Sequence, residues 1–135
     1  MTAAPTDADL LARANRQRGG ARAYRNGVQA EANVETHYHL QGCLTLAKRW
    51  RGPGAEIDLI FRDGDRLIFV EVKAGRDHDA AVQRVRWDQL HRIFRAAEAY
   101  AGQLRPGKLT ELRIDVALVD RIGAVQVLEN VSMAA

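Results

Sequence analysis

Two apolar, β-branched-rich runs, Ala55–Phe61 and Arg66–Lys73, flank Arg62-Asp63-Gly64-Asp65. Runs of this kind around an Asp-Gly turn predict a β-hairpin. Alternation sends Ile57, Leu59 and Phe61 to one face, and Glu56, Asp58 and Ile60 to the other. On the second strand Leu67, Phe69, Glu71 and Lys73 share a face, opposite Ile68, Val70 and Val72. Apolar neighbours lie on both faces, so both strands read as central. A central strand tolerates few charges, because burying an unpaired carboxylate costs several kcal/mol. Glu56, Asp58, Glu71 and Lys73 therefore need a reason to be there.

The rest of the chain supplies layers around this hairpin. From Asn26 the spacing predicts a helix, with Val28, Ala32, Glu35 and His39 on one stripe, Glu31, Val34 and Tyr38 on the next, and Gly42 as its stop. Cys43–Trp50 reads as a strand, and Gly52-Pro53-Gly54 as a turn. A single helix is expected from Ala80 to about Ala101, with Trp87, Leu90, Phe94, Ala97 and Ala101 as its buried stripe. Gly102 and Pro106-Gly107 end it. Leu112–Val119 and Ala124–Val131 follow as strands around the turn Asp120–Gly123. The order αβββαββ is that of a small α/β sandwich around a sheet.

At 135 residues, 47% hydrophobic and 27% charged, the chain has the size and composition of one globular domain. Residues 26–135 form that domain in this reading, and residues 1–25 a loose basic arm. Between Leu10 and Ala30 stand five arginines (Arg13, Arg16, Arg18, Arg22, Arg25) and no acid. No run approaches the roughly 18 apolar residues of a membrane span. No apolar h-region is present near the start, so no secretory signal is expected. One cysteine, Cys43, excludes an intrachain disulfide and a multi-cysteine zinc site, and fits a reducing cytoplasm.

A formal charge of +3 points weakly to anionic partners. Trp50 sits among Lys48, Arg49 and Arg51, a basic-aromatic cluster suited to a nucleic-acid backbone. Arg22 and Arg25 in the arm, and Arg76 after the hairpin, extend that set. The plain alternative for each is a solvated surface. Arg84, Arg86, Arg92 and Arg95 read as a solvated helix face. His37 and His39, two apart on a helix, do not face each other and make no metal pair. Trp87 and Cys43 are assigned to the core.

Two explanations compete for the charged strand ends. In the first, Lys73 neutralises one carboxylate in a local ion pair. In the second, the acids hold a divalent cation. Mg²⁺ (or Mn²⁺) takes oxygen ligands octahedrally and keeps several waters. Two carboxylates on adjacent strands and the carbonyl of Val72 would supply part of that shell. Lys73 would then orient or help deprotonate an attacking water, and offset charge building on a phosphate.

Ala55-Glu56-Ile57-Asp58-Leu59-Ile60 followed by Phe69-Val70-Glu71-Val72-Lys73 resembles the signature of the PD-(D/E)xK nuclease superfamily. More narrowly, the chain resembles the bacterial YraN family of endonuclease-like proteins, related to archaeal Holliday-junction resolvases. Gly27 to Glu31 and Arg113-Ile114-Asp115-Val116 match further hallmarks, so the likeness runs from about Asn26 to Val119. It implies a restriction-endonuclease-like αβββαβ core with a mixed central sheet flanked by helices. It also implies Asp58 and Glu71 as metal ligands, Lys73 as the catalytic lysine and Glu31 as a completing acid, with Glu56 a secondary candidate. Ala55 and Ala30 replace family glycines, and Gln89 falls where a basic residue is common.

The expected activity is thus metal-dependent hydrolysis of DNA phosphodiester bonds, with Mg²⁺ or Mn²⁺ as cofactor. Branched DNA is the substrate the resolvase likeness implies, and a homodimer the matching assembly. A nucleic-acid-binding module that keeps the fold but cleaves nothing is the main alternative. A protein-interaction domain with a structural ion-pair network is a third.

Overall fold

The computed structural model describes residues 27–104, 107 and 111–131. The arm at 1–25, with Arg22 and Arg25, and the helix stop at Pro106 lie outside the described residues. Helix α1 (residues 27–40) is followed by strands β1 (Leu44–Gly52), β2 (Ala55–Asp63) and β3 (Arg66–Ala74). Helices α2 (His78–Val82) and α3 (Trp87–Leu104) then lead to β4 (Leu112–Val119) and β5 (Val125–Leu128). The five strands lie in chain order in one sheet. Only β3 and β4 are parallel; the other neighbours are antiparallel. A parallel pair needs a crossover, which α2 and α3 provide. This is the expected mixed sheet flanked by helices, with the αβββαβ order of its core.

Each face of the sheet carries one apolar cluster. Ala30, Val34 and Tyr38 of α1, spaced by four, pack on Leu59, Phe61, Ile68, Val70, Ala117 and Val119. Leu90, Ile93, Ala96 and Ala97 of α3 pack on Ile57, Ile60, Leu67, Phe69, Ile114 and Val116. α1 stops where expected: Gly42 has φ 86°, and the Gln41, Gly42 and Cys43 amides turn back onto the Tyr38 and His39 carbonyls at 3.0–3.1 Å. The hairpin loop is two residues, Gly64-Asp65, between the paired Asp63 and Arg66. Gly64 takes φ 59° at its first position, where such loops favour glycine.

Three expectations are corrected. The helix from Ala80 to about Ala101 is two helices. Asp77 caps α2 by accepting the Ala80 amide at 2.7 Å, and the chain turns through 83–86 before α3 begins. The face of α3 packed on the sheet is also rotated toward Ile93 and Ala96. The buried stripe becomes Leu90, Ile93, Ala96 and Ala97, which leaves Trp87 55% and Phe94 39% exposed. Trp87 is therefore not a core residue. The second correction concerns β2: Ile57 joins Ile60 on the α3 side, while Leu59 and Phe61 face α1. Pairing to β3 runs only from Leu59 to Asp63, so the strand departs from β3 at Asp58 and strict alternation fails there. Third, the last strand is shorter than Ala124–Val131. Asp120 Oδ1 accepts the Ile122 and Ala124 amides (3.0 and 2.9 Å) and closes the preceding turn.

Candidate active site

A cavity of about 850 Å³ opens where the parallel strands β3 and β4 end and α1 begins. The hairpin pattern places its polar floor. Along the α3 face of β3, Leu67 and Phe69 are followed by Glu71 and Lys73, so the apolar stripe becomes charged as the strand leaves the core. Asp58 arrives from β2 where that strand departs from β3. Its Oδ2 accepts the Val72 amide at 2.8 Å.

Glu71 is 5% exposed, and its two oxygens have different surroundings. Oε1 accepts Gln89 Nε2 at 3.1 Å and lies 3.3 Å from Lys73 Nζ. Oε2 is buried with no hydrogen-bond partner among the described residues. Burial first, and then the charge of Asp58, push the Glu71 carboxyl up to about 7, with Lys73 pulling the other way. Burial also raises Asp58; the Val72 amide opposes it, and Glu31 adds to it. A buried carboxylate, Glu71, and a half-buried one, Asp58, therefore share a small space with one lysine.

The other expected site residues are distributed as follows. Val72 lines the cavity between Glu71 and Lys73, and Glu31 lines it from α1. The Glu31 carboxylate accepts Arg49 Nε at 3.1 Å. Arg49 reaches it from a left-handed backbone conformation on β1, φ 50°. Glu56 lies outside the cavity, at the open end of the β1–β2 pair, 3.5 Å from Arg51 Nε. Lys48 lies 2.8 Å from Glu35. The cluster Lys48, Arg49 and Arg51 is thus held in ion pairs with helix and strand acids. Trp50 packs edge-on against Tyr100 at 5.2 Å, between β1 and α3. Arg76 lines the cavity, joined there by Arg84 and Arg121.

Among the described residues, no three Asp, Glu, His or Cys side chains converge as a preformed metal group. The donors present still suit a hard cation. Mg²⁺ is commonly held by one or two carboxylates and completes its shell with water or substrate phosphate. Asp58 and Glu71 offer two carboxylates that hydrogen-bond each other while Glu71 is protonated, and Glu71 Oε2, with no donor to it among the described residues, is an oxygen that a cation would satisfy.

Two residues, named in the sequence reading only as a departure from the family and as part of a family hallmark, have partners it did not assign. Gln89, a departure from the expected basic residue, bridges Glu71 and Lys73. Asp115 is fully buried, and accepts Tyr38 Oη at 2.6 Å, the Arg113 guanidinium twice at 2.9 Å and the Asn130 amide at 3.0 Å. It ties α1, β4 and the segment after β5 together. An acid within the apolar run Leu112–Val119, with Arg113 two residues before it on the same face, was the available signal.

A family model described as Uncharacterised protein family UPF0102 matches residues 30–119. The chain belongs to this family. A UPF0102 protein of Dinoroseobacter shibae is 44% identical over 135 residues, covering 98% of this chain and all of that one. One from Roseobacter denitrificans is 44% identical over 115 residues, covering 85% of this chain and 89% of the relative. One from Cereibacter sphaeroides is 46% identical over 112 residues, covering 82% and 95%. The matched span of this UPF0102 protein runs from α1 to the end of β4 and contains Glu31, Asp58, Glu71, Lys73 and Gln89. No helix among the described residues is long and apolar enough to cross a membrane.

Proposed function

We propose that this UPF0102 protein is a metal-dependent endonuclease that hydrolyses DNA phosphodiester bonds. The observation that carries the reading is the junction of Asp58, Glu71 and Lys73 at one cavity, with Glu71 Oε2 buried and without a donor among the described residues. Asp58 and Glu71 would hold Mg²⁺ or Mn²⁺, with Val72 beside them. The bound cation would supply Lewis-acid polarisation of the phosphate and of the attacking water. Lys73 donates hydrogen bonds, and would orient the water and offset charge on the phosphate. The water oxygen would bond to phosphorus and release one proton to solvent, the ester P–O bond would break, and the leaving oxygen would take up one proton from solvent, so that one water adds across the bond. Glu31 is the supporting acid once it leaves Arg49.

Arg76, joined by Arg84 and Arg121, would contact the phosphates beside the cut, and Arg22, Arg25, Lys48, Arg49 and Arg51 would serve the flanking backbone. We extend the reading to branched DNA, to a pair of chains acting on the two strands of a junction, and to the cytoplasm. The test is cleavage of a labelled four-way junction, linear duplex and single strand by the wild type and Asp58→Asn. Each is run with Mg²⁺, Mn²⁺ or EDTA. Metal-dependent cutting that the variant loses supports a nuclease and shows its preferred shape. Binding without cutting by the folded wild type would replace it with a non-catalytic nucleic-acid-binding module.

A further inference from the structure

Gln89, in the first turn of α3, has a place that neither the metal nor the lysine reading assigns. Gln89 stands one helical turn before Ile93, so it continues the inward stripe of α3 toward the cavity end of the sheet. The facing strand changes character in step. Phe69 meets Tyr100 (ring centroids 5.9 Å apart), and Glu71 and Lys73 meet Gln89. Apolar faces apolar, and then polar faces polar.

The two hydrogen bonds fix the amide. Gln89 Oε1 accepts from Lys73 Nζ at 3.0 Å, and Nε2 donates to Glu71 Oε1 at 3.1 Å. A flipped amide would set its NH₂ against an ammonium and its carbonyl against a carboxylate, both repulsive. Without this amide, Glu71 Oε1 at 3.3 Å is the acceptor left to Lys73 among the described residues. The ammonium would then settle fully onto the carboxylate that the cation needs. A basic side chain at this position would instead repel Lys73.

We propose that Gln89 is a positioning residue, which holds Lys73 away from Glu71 Oε2 by occupying the ammonium and Glu71 Oε1 together. This rests on the nuclease reading above. The occupied Oε1 fixes the carboxylate, and the second oxygen stays available to a cation. Gln89 thereby acts through Glu71 and Lys73 and touches no reacting atom.

The test uses the full chain with Gln89→Met, which keeps length and removes both hydrogen bonds, and Gln89→Glu, which keeps the acceptor but loses the donor. The chain has three lysines, Lys48, Lys73 and Lys108, so an ammonium NMR spectrum is simple and Lys73→Arg assigns it. In metal-free protein, Gln89→Met is expected to change the Lys73 signal and its exchange rate, leaving Lys48 on Glu35 unchanged. Single-turnover cleavage should fall about tenfold or more while DNA affinity in Ca²⁺ and the melting temperature hold. Gln89→Glu should keep the Lys73 signal and still lose rate. An unchanged Lys73 signal and rate in Gln89→Met overturns the proposal, as does a fall of rate, affinity and melting temperature together. A wild type that never cleaves removes the nuclease reading and with it the kinetic role. The Lys73 signal then still reports whether Gln89 holds the ammonium.

Discussion

Asp58 Oδ2 accepts the backbone amide of Val72 at 2.8 Å, two residues beyond the last β3 residue that pairs with β2. A side chain takes over from the ladder where the backbones part. The bond anchors Asp58 next to Glu71 and partly offsets the cost of burying its charge.

Asp58→Asn is therefore expected to fold, because its amide oxygen still accepts from Val72. Asp58→Ala should lose about 1–3 kcal/mol, since the Val72 amide is left without that acceptor. Urea unfolding measures both. Cleavage should vanish in both, so an active, well-folded Asp58→Asn would contradict the assigned role.

Mn²⁺ should raise the melting temperature of the wild type in a concentration-dependent way. At a hundredfold excess over Kd the gain is about 2.7 kcal/mol. Glu71→Gln should abolish most of it. Equal shifts in wild type and variant would place the cation elsewhere.

In EDTA, stability should fall as pH rises. Glu71 has a folded pKa of about 7 against an ordinary 4.5, so the folded chain keeps a proton that the unfolded chain releases. The contribution is fully present below pH 4.5, declines through the interval and is gone above about 7, a span on the order of 3 kcal/mol. Asp58 shifts in the same direction. Urea midpoints of wild type and Glu71→Gln across pH 4.5–8 check this; the variant should show a much flatter profile.

The Asp115 network should be a matter of stability and not of the cavity. Asp115→Ala leaves the Arg113 guanidinium, whose side chain is 12% exposed, with Glu129 at 3.7 Å in place of two hydrogen bonds, and takes the acceptor from the Tyr38 hydroxyl; a loss of about 3 kcal/mol is expected. Tyr38→Phe removes one bond and should cost about 1 kcal/mol. Neither residue lines the cavity. Metal affinity unchanged in Tyr38→Phe would agree with that separation, and a large loss would not.

Arg84→Ala and Arg121→Ala should each lower the salt dependence of duplex binding by about one phosphate contact, a slope change near 0.9. Arg62→Ala, at the hairpin loop, serves as control, because its Nε donates to the Gly64 carbonyl at 3.0 Å. Equal slopes in all three variants would remove the arginines from the interface.

The hairpin, the α1 stripe of Val34 and Tyr38, and the placing of Glu71 and Lys73 on one strand face were legible in the sequence. Each follows from the two-residue or 3.6-residue period of a single element. Asp58 could be singled out for the same reason: a carboxylate inside an apolar strand is costly enough to be conspicuous. What β2 does at Asp58 could not be read, since losing a partner strand is a relation between two strands. Nor could the face of α3 that meets the sheet: Trp87 and Ile93 lie in the same helix, and packing against β2 and β3 sets Ile93 inward and leaves Trp87 exposed. The charge partners of Lys48, Arg49 and Arg51, and the bridge from Gln89, belong to the same class. The sequence determined which residues each element offers and to which side. Only tertiary structure decided which offers meet, because an ion pair or a shared hydrogen bond depends on distances between segments that no local period encodes.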